Sequence, residues 1–553
     1  MQAPQVAPAP PYISNGAHDR GDGTVSFALW APWKRSVHLI GDFNNWDATA
    51  DPLAVDQQGL WWIEKQLDHG THAYQFVLDG ATTICDPYAR RLRWSDGSPQ
   101  PHALIEVGAQ PYVWGDDGFQ IKPLNQLVIY ELHVGDFSPE GTFAGVTARL
   151  AHLAYIGVNA IELMPIQEFP GDRSWGYNPA YFFVPETSYG SSEELKQLID
   201  AAHQKGIGVL LDMVFNHTVQ DSPLTLLYPY NENPYFSDQG NPWGFPDLDH
   251  WNDATKRLID DIQSYWLAEF HIDGFRYDYA EGISYDGIGG MSFIAWAARQ
   301  RKPYAYLIAE DMVADPAAVV RDTEIDASWH WQFAKVLRAQ LREGEYDGNQ
   351  YGDLDALARV LSFAGDGYVD NAQPINYLES HDEERIFYEI LTNPAINDLG
   401  ALRKSMLGAI MLFTAQGVPM LYHGQEFGAH SQKTIDVSKI PWEFMESDGG
   451  HQLFHHYATL AYLRHTNAAL QHNDFAVLLA DHERKLLAYH RWDGDSSVVV
   501  AVNLTPQTQH VALTFPRAGR WHEWLYNYDE DVGAEPHDVE IPDSFGKVWV
   551  FQG

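Results

Sequence analysis

The chain has 553 residues, 45% of them apolar and 20% charged, a globular balance that excludes general disorder, and no apolar run is long enough to span a bilayer. Lys and Arg number 35 against 75 Asp and Glu, a net charge of −40; nucleic acid and anionic lipid would be repelled, so a neutral partner fits better, although a salt-adapted host would produce the same excess of acid. The length exceeds what one core supports, so two or three domains are expected. Cys85 is the only cysteine, which excludes an intrachain disulfide and suits a reducing compartment.

Residues 1–20, opening MQAPQVAPAPPYISNG, lack a basic region followed by an apolar one. They read as a flexible Pro/Ala-rich lead rather than a secretion signal, in keeping with a cytoplasmic location. Over residues 21–110, short runs that alternate apolar and polar side chains (VSFALWAP, SVHLIGDF, WWIEKQL, HAYQFVLDG) are separated by Gly, Asp and Asn turns. That pattern predicts a small antiparallel β-sandwich.

Past a Gly/Pro-punctuated connector the rhythm becomes strand then helix. Within 111–468, LVIYEL, GVNAIELMP, GIGVLLDMV, HIDGFRYD, YAYLIAE, EIDAS, PINYLES and VPMLYHG are strand candidates, most followed by amphipathic runs such as SEELKQLIDAAHQKG and ATKRLIDDIQSYWLAEF. Eight such units predict a (β/α)8 TIM barrel in an α/β fold. Residues 469–553 return to alternation in KLLAYHRW, SSVVVAVNL, HVALTF and KVWVF, an all-β C-terminal domain.

In such a barrel the C-terminal strand ends face the site. Here they are unusually rich: strand three ends at Asp212 to His217, strand four at Arg276-Tyr277-Asp278, strand five at Glu310-Asp311, and strand seven at Glu379-Ser380-His381-Asp382. One such acid would be an ordinary solvated carboxylate. Four converging ends supply what glycosidic cleavage requires: a carboxylate nucleophile, a carboxyl group to protonate the leaving oxygen, and negative charge beside an oxocarbenium-like transition state. Arg276 lies two residues before Asp278, so both point from the same strand face and the guanidinium can hold the carboxylate ionised and oriented.

These four segments resemble the signature motifs of glycoside hydrolase family 13, the α-amylase family. GVNAIELMP, PDLD at 246–249, WGYN at 175–178 and GVPMLYHGQE are similar to further motifs of that family, while the GDFNNW turn at 41–46 and DPYA at 86–89 resemble a family-48 carbohydrate-binding module. The resemblance implies that Asp278 is the nucleophile of a retaining, double-displacement reaction, Glu310 its acid/base and Asp382 the transition-state stabiliser. It further implies that His217 and His381 hydrogen-bond the reacting sugar, that Tyr177 stacks under it, and that Asp212 and Asn216 support this shell. No cofactor is implied as a requirement, although Asn216 matches a position that binds calcium in some members.

The substrate is less narrowly indicated. YELHVGDFSPEGTFAGV, joined to a family-48-like module, resembles trehalohydrolases and branching enzymes, yet Asn178-Pro179 stands where trehalohydrolases usually have Asp-Gly, and Glu281 where they have His and many α-amylases continue with Lys-His. Hydrolysis of α-1,4 bonds in malto-oligosaccharides, starch or glycogen is the first expectation. Branching or α-1,6 debranching is second and trehalose release from maltooligosyltrehalose third. A non-catalytic glucan-binding barrel would be expected to lack one of the acids, and this chain keeps them all.

Overall fold

The computed structural model describes residues 4–94, 100–238, 240–285, 288–434 and 437–553. Its centre is a closed parallel barrel of eight strands: β1 (Ile129–Leu132), β2 (Ala160–Leu163), β3 (Gly208–Met213), β4 (Gly274–Tyr277), β5 (Tyr306–Ala309), β6 (Ala327–Trp329), β7 (Pro374–Tyr377) and β8 (Val418–Tyr422). Closure is made by Ile129, which is registered with Ala160 on one side and Met420 on the other. All eight candidate runs therefore become barrel strands in chain order.

Five outer helices recur below: α1 (Leu150–Ile156), α2 (Ser192–Gln204), α3 (Asp253–Glu269), α4 (Asp398–Thr414) and α5 (Asp448–Thr466). Local chemistry sets their starts. Ser191 accepts from the Glu194 amide at 3.1 Å while Glu194 Oε2 accepts from the Ser191 amide at 2.7 Å, a reciprocal capping box that satisfies two otherwise orphaned donors. Leu195, Leu198, Ile199 and Ala202 then fall on one buried stripe of α2. Asn252 caps α3 in the same way, its Oδ1 taking the Ala254 amide at 3.0 Å.

The barrel interior is plugged below the site by a separate apolar layer that includes Ile129, Ala160, Leu210, Ile308, Ala327, Ile375, Val418 and Met420. Side chains two residues further along the same strands belong to the mouth, because successive inward positions recur with period two. Ile129 is followed by Glu131, Leu210 by Asp212, and Ile308 by Glu310.

The N-terminal domain is a β-sandwich of a four-stranded and a six-stranded sheet, with Phe27 and Tyr74 packed edge to face across its core at 4.9 Å. The expectation of a flexible lead over residues 1–20 is corrected for its described part, residues 4–20; residues 1–3 lie outside the described residues. Gly16–Asp19 pairs antiparallel with Thr24–Trp30, Val6 bridges Val55, and the Val55 amide donates to Gln5 at 3.0 Å. An otherwise open sheet edge offers free backbone groups, and the lead supplies their partners. Tyr88 fixes the sandwich to the barrel, stacking on Phe183 at 4.7 Å and donating to Asp261 on α3 at 3.0 Å.

The C-terminal domain has a six-stranded antiparallel sheet and a separate two-stranded pair. Arg491, fully buried, joins it to the barrel by donating to the carbonyls of Thr414 and Ala415 at the C-terminal end of α4. Such a buried cation is tolerable because several carbonyl oxygens share its protons.

Candidate active site

The predicted strand-end residues converge on one guanidinium. Arg276, on β4 and fully buried, donates through Nη1 to both oxygens of Asp212, at 2.8 and 2.7 Å, and to Asp278 Oδ1 at 3.1 Å, while Nη2 lies 3.0 Å from Glu310 Oε2. The Trp329 ring at the end of β6 covers its face at 4.3 Å. A cation held this way cannot leave the carboxylates without losing charge-assisted bonds in a low-dielectric interior, so it sets their positions.

Asp278 is thus hydrogen-bonded by Nη1, while Glu310 lies at ion-pair distance from Nη2, which makes no hydrogen bond among the described residues. Asp278 Oδ2 also accepts from Asn216 Nδ2 at 3.1 Å, and Glu310 Oε2 from the Tyr279 amide at 3.1 Å. Tyr279 adopts a left-handed backbone, φ 48°, which turns that amide towards Glu310; the strain is small and localised next to the reacting groups. Burial first, then the Glu310 carboxylate, push Asp278 up to about 8 against the pull of Arg276.

Asp382 differs from its partners. Its side chain is 40% exposed against 12% for Asp278 and 9% for Glu310, so it stands at the open side of the cleft. His381 Nε2 lies 3.3 Å from its Oδ1, and His381 Nδ1 lies 2.7 Å from Glu131 Oε1 on β1. Burial alone would depress this imidazole, but Asp382 and Glu131 overcome it and raise His381 to about 9. A histidine cation therefore bridges two carboxylates at neutral pH. Lys433, in the loop after β8, donates to the Ser380 and His381 carbonyls and holds the segment carrying Asp382.

Tyr177 lies between these groups. Its hydroxyl donates to Asp212 Oδ2 at 2.6 Å, and its ring stacks on His381 at 4.6 Å and 20°. His217 is placed differently from a freely offered sugar ligand: Nε2 donates to the Tyr177 carbonyl at 2.8 Å and Nδ1 accepts from Asn241 Nδ2 at 3.4 Å. Both ring nitrogens are taken, so a sugar hydroxyl would have to displace one partner. Burial lowers His217 to about 4, leaving it neutral.

The Asn216 side chain is also engaged at both ends, its Oδ1 accepting from Asn241 Nδ2 and its Nδ2 donating to Asp278. Neither end is turned to a cation, and among the described residues no group of three or more His, Cys, Asp or Glu side chains could hold a metal.

Three residues of the site carried no signal in the strand-end reading. Glu131, in YELH on β1, is one of two acidic strand ends outside that reading, with Glu162 on β2 the other, and its role follows from a contact 250 positions away in sequence with His381. Trp329 follows the EIDAS run, whose Asp326 and Ser328 give no sign of an aromatic cover for the site. Trp243, 55% exposed, meets Tyr279 edge to face at 4.9 Å and lies 5.8 Å from His217, forming an apolar wall on the side of the cleft where Glu281 Oε2 accepts the Met312 amide at 2.6 Å.

A closed barrel whose strand ends join an Arg-clamped pair of carboxyls to an open third acid is the constellation of a glycosidase that works through two carboxylates. The description "Alpha amylase, catalytic domain" matches residues 88–224 and 228–485, "Carbohydrate-binding module 48 (Isoamylase N-terminal domain)" residues 14–89, and "Alpha amylase, C-terminal all-beta domain" residues 477–545. The chain belongs to the α-amylase family, whose glycoside hydrolases and transglycosylases act on α-glucans. It is 30% identical to a malto-oligosyltrehalose trehalohydrolase of Saccharolobus solfataricus, over 73% of each chain. It is 27% identical to a 1,4-alpha-glucan branching enzyme GlgB of Salinibacter ruber, over 94% of this chain and 90% of that one. In fold it matches the structure of a putative alpha amylase from Salmonella typhimurium with a TM-score of 0.79 at 21% identity, covering 98% of this chain and 100% of that one. No helix among the described residues is long and apolar enough to cross a membrane.

Proposed function

We propose that the chain is a retaining enzyme that cleaves α-1,4-glucosidic bonds in malto-oligosaccharide chains, with Asp278 as nucleophile, Glu310 as general acid/base and Asp382 as transition-state stabiliser. The observation that carries the reading is the Arg276 fork, with Nη1 on Asp278 and Nη2 on Glu310. Two carboxyls within 3.1 Å and 3.0 Å of one guanidinium are compatible with the about 5–5.5 Å separation that retention requires.

Asp278 attacks the anomeric carbon as Glu310 passes its proton to the departing glycosidic oxygen. Asp382, exposed beside the His381 cation, places negative charge where the oxocarbenium-like centre develops. Glu310, now ionised, takes a proton from the incoming water as it opens the glycosyl-enzyme at the same carbon, and the configuration is restored.

A second reading is trehalose release from maltooligosyltrehalose, which also breaks an α-1,4 bond. The trehalohydrolase relatives favour it, while Asn178-Pro179 and Glu281 favour the first. Incubation with maltoheptaose, amylose, pullulan and maltooligosyltrehalose, with the products resolved by chain length, tests both. Shortened linear chains with retained anomeric configuration support the proposal. Free trehalose as the dominant product favours the second reading, and new α-1,6 branches without reducing-end gain overturn both.

A further inference from the structure

A second aromatic surface lies outside the catalytic cleft, between α1, α5 and the C-terminal domain. On α5, His455, Thr459 and Tyr462 recur at spacings of four and three and so share one face. A solvated helix face ordinarily carries charge. This one instead carries rings: Tyr462 is 62% exposed and, across the cleft on α1, Tyr155 is 60% exposed.

The rings are fixed before anything binds. Tyr155 stacks on Phe454 at 5.3 Å and 5°, Tyr462 lies nearly parallel to Trp524 at 6.0 Å and 26°, and Trp524 Nε1 donates to the Thr459 carbonyl at 3.3 Å. Between them opens a shallow cleft of about 410 Å³ whose polar margin includes His455, Thr459 and Asn527. None of the residues lining it is an Asp, Glu, Lys or Arg, in a chain with 75 acidic residues.

We propose that this cleft is a secondary α-glucan-binding site, which anchors a polymeric substrate away from the reacting bond. Flat rings match the apolar faces of sugar rings, and hydroxyl, imidazole and amide groups at the margin match the sugar's own hydroxyls. The uncharged lining suits a neutral chain and offers nothing to steer an ionic partner. His455 to Tyr462 spans about 10 Å of helix, from a rise of about 1.5 Å per residue, the scale of a short run of glucosyl units. Pre-stacked Tyr and Trp side chains lose little conformational freedom on binding, which favours a weak but useful contact. A protein partner would need about 800 Å² on each side for a stable interface, more than these few rings present.

The site rests on the α-glucan reading of the enzyme, and the test separates the two. In the full-length protein, Tyr155→Ala and Tyr462→Ala are combined, with Tyr155→Ser and Tyr462→Ser as single substitutions in case the pair disturbs α5. Retardation in native gels containing amylose, with dextran gels as control, is measured beside kinetics on amylose and on a short maltooligosaccharide. Amylose affinity is expected to fall about threefold to tenfold, as expected from losing aromatic contacts, and KM on amylose to rise, while kcat and KM on the short substrate stay unchanged. Unaltered amylose affinity, or a change only in oligomeric state by light scattering, overturns the site. If the wild-type chain neither binds nor cleaves any α-glucan, the underlying reading fails instead.

Discussion

The floor and the mouth of the barrel are built from the same strands, often two residues apart, and they obey opposite rules. On β3 Leu210 is fully buried in the apolar plug while Asp212 is buried against Arg276; on β5 the same step leads from Ile308 to Glu310. The floor gains stability from apolar burial. The mouth buries ionisable groups, which opposes stability unless each is paired, and it keeps Asp278 raised and Glu162 without a hydrogen-bond partner. What the floor provides is the rigidity on which such a costly arrangement can be held.

Mutations that address each layer should separate activity from stability. Glu310→Gln and Asp278→Asn are expected to lower kcat by about 10³-fold or more on every α-glucan with circular dichroism unchanged; a variant that keeps substantial turnover removes the assignment of that carboxyl. Leu210→Ala should do the reverse, costing roughly 2–5 kcal/mol in denaturant unfolding while the folded fraction keeps its kcat.

A smaller effect tests a contact that joins distant strands. Glu131→Gln removes one of the two carboxylates that raise His381, so kcat should fall by about 10²-fold through misplacement of the Asp382 segment. The His381 proton, followed by NMR titration, should then leave at lower pH than in the wild type. An unchanged titration would show that Asp382 alone sustains it.

The two regions also differ in how pH reaches them. Asp278 rises from 3.8 to about 8 and His381 from 6.5 to about 9 on folding, so Asp278 between about pH 4 and 8 and His381 between about pH 6.5 and 9 bind more protons folded than unfolded, and the stability each contributes is lost as pH rises. Thermal melts from about pH 7 to 9, above the range where buried neutral histidines act in the opposite sense, should show that decline. Asp278→Asn should flatten it below pH 8, whereas Leu210→Ala should shift the whole curve with its slope intact. The smallest expected effect is that of a chelator: with Asn216 committed at both ends, EDTA should leave Tm and kcat unaltered, and a large loss would reopen the case for calcium.

Much of this contrast was already legible along the chain. Period-two alternation and strand–helix rhythm depend on neighbours within a few residues, so the eight barrel strands, the flanking β domains and the acids at strand ends could be read directly. The lead at residues 1–20 was misread because its Pro/Ala composition says nothing of the sheet edge waiting for it at Val55.

By itself the sequence determined which side chains would stand at the barrel mouth, since inward positions follow from strand periodicity. Only the tertiary structure decided what they do to one another: that one guanidinium would grip Asp212, Asp278 and Glu310, that Glu131 would hold His381, and that His217 would be saturated. Those outcomes depend on barrel closure, which brings β1 against β8 and sets residues hundreds of positions apart within hydrogen-bond reach. Spacing along a chain carries no record of that distance.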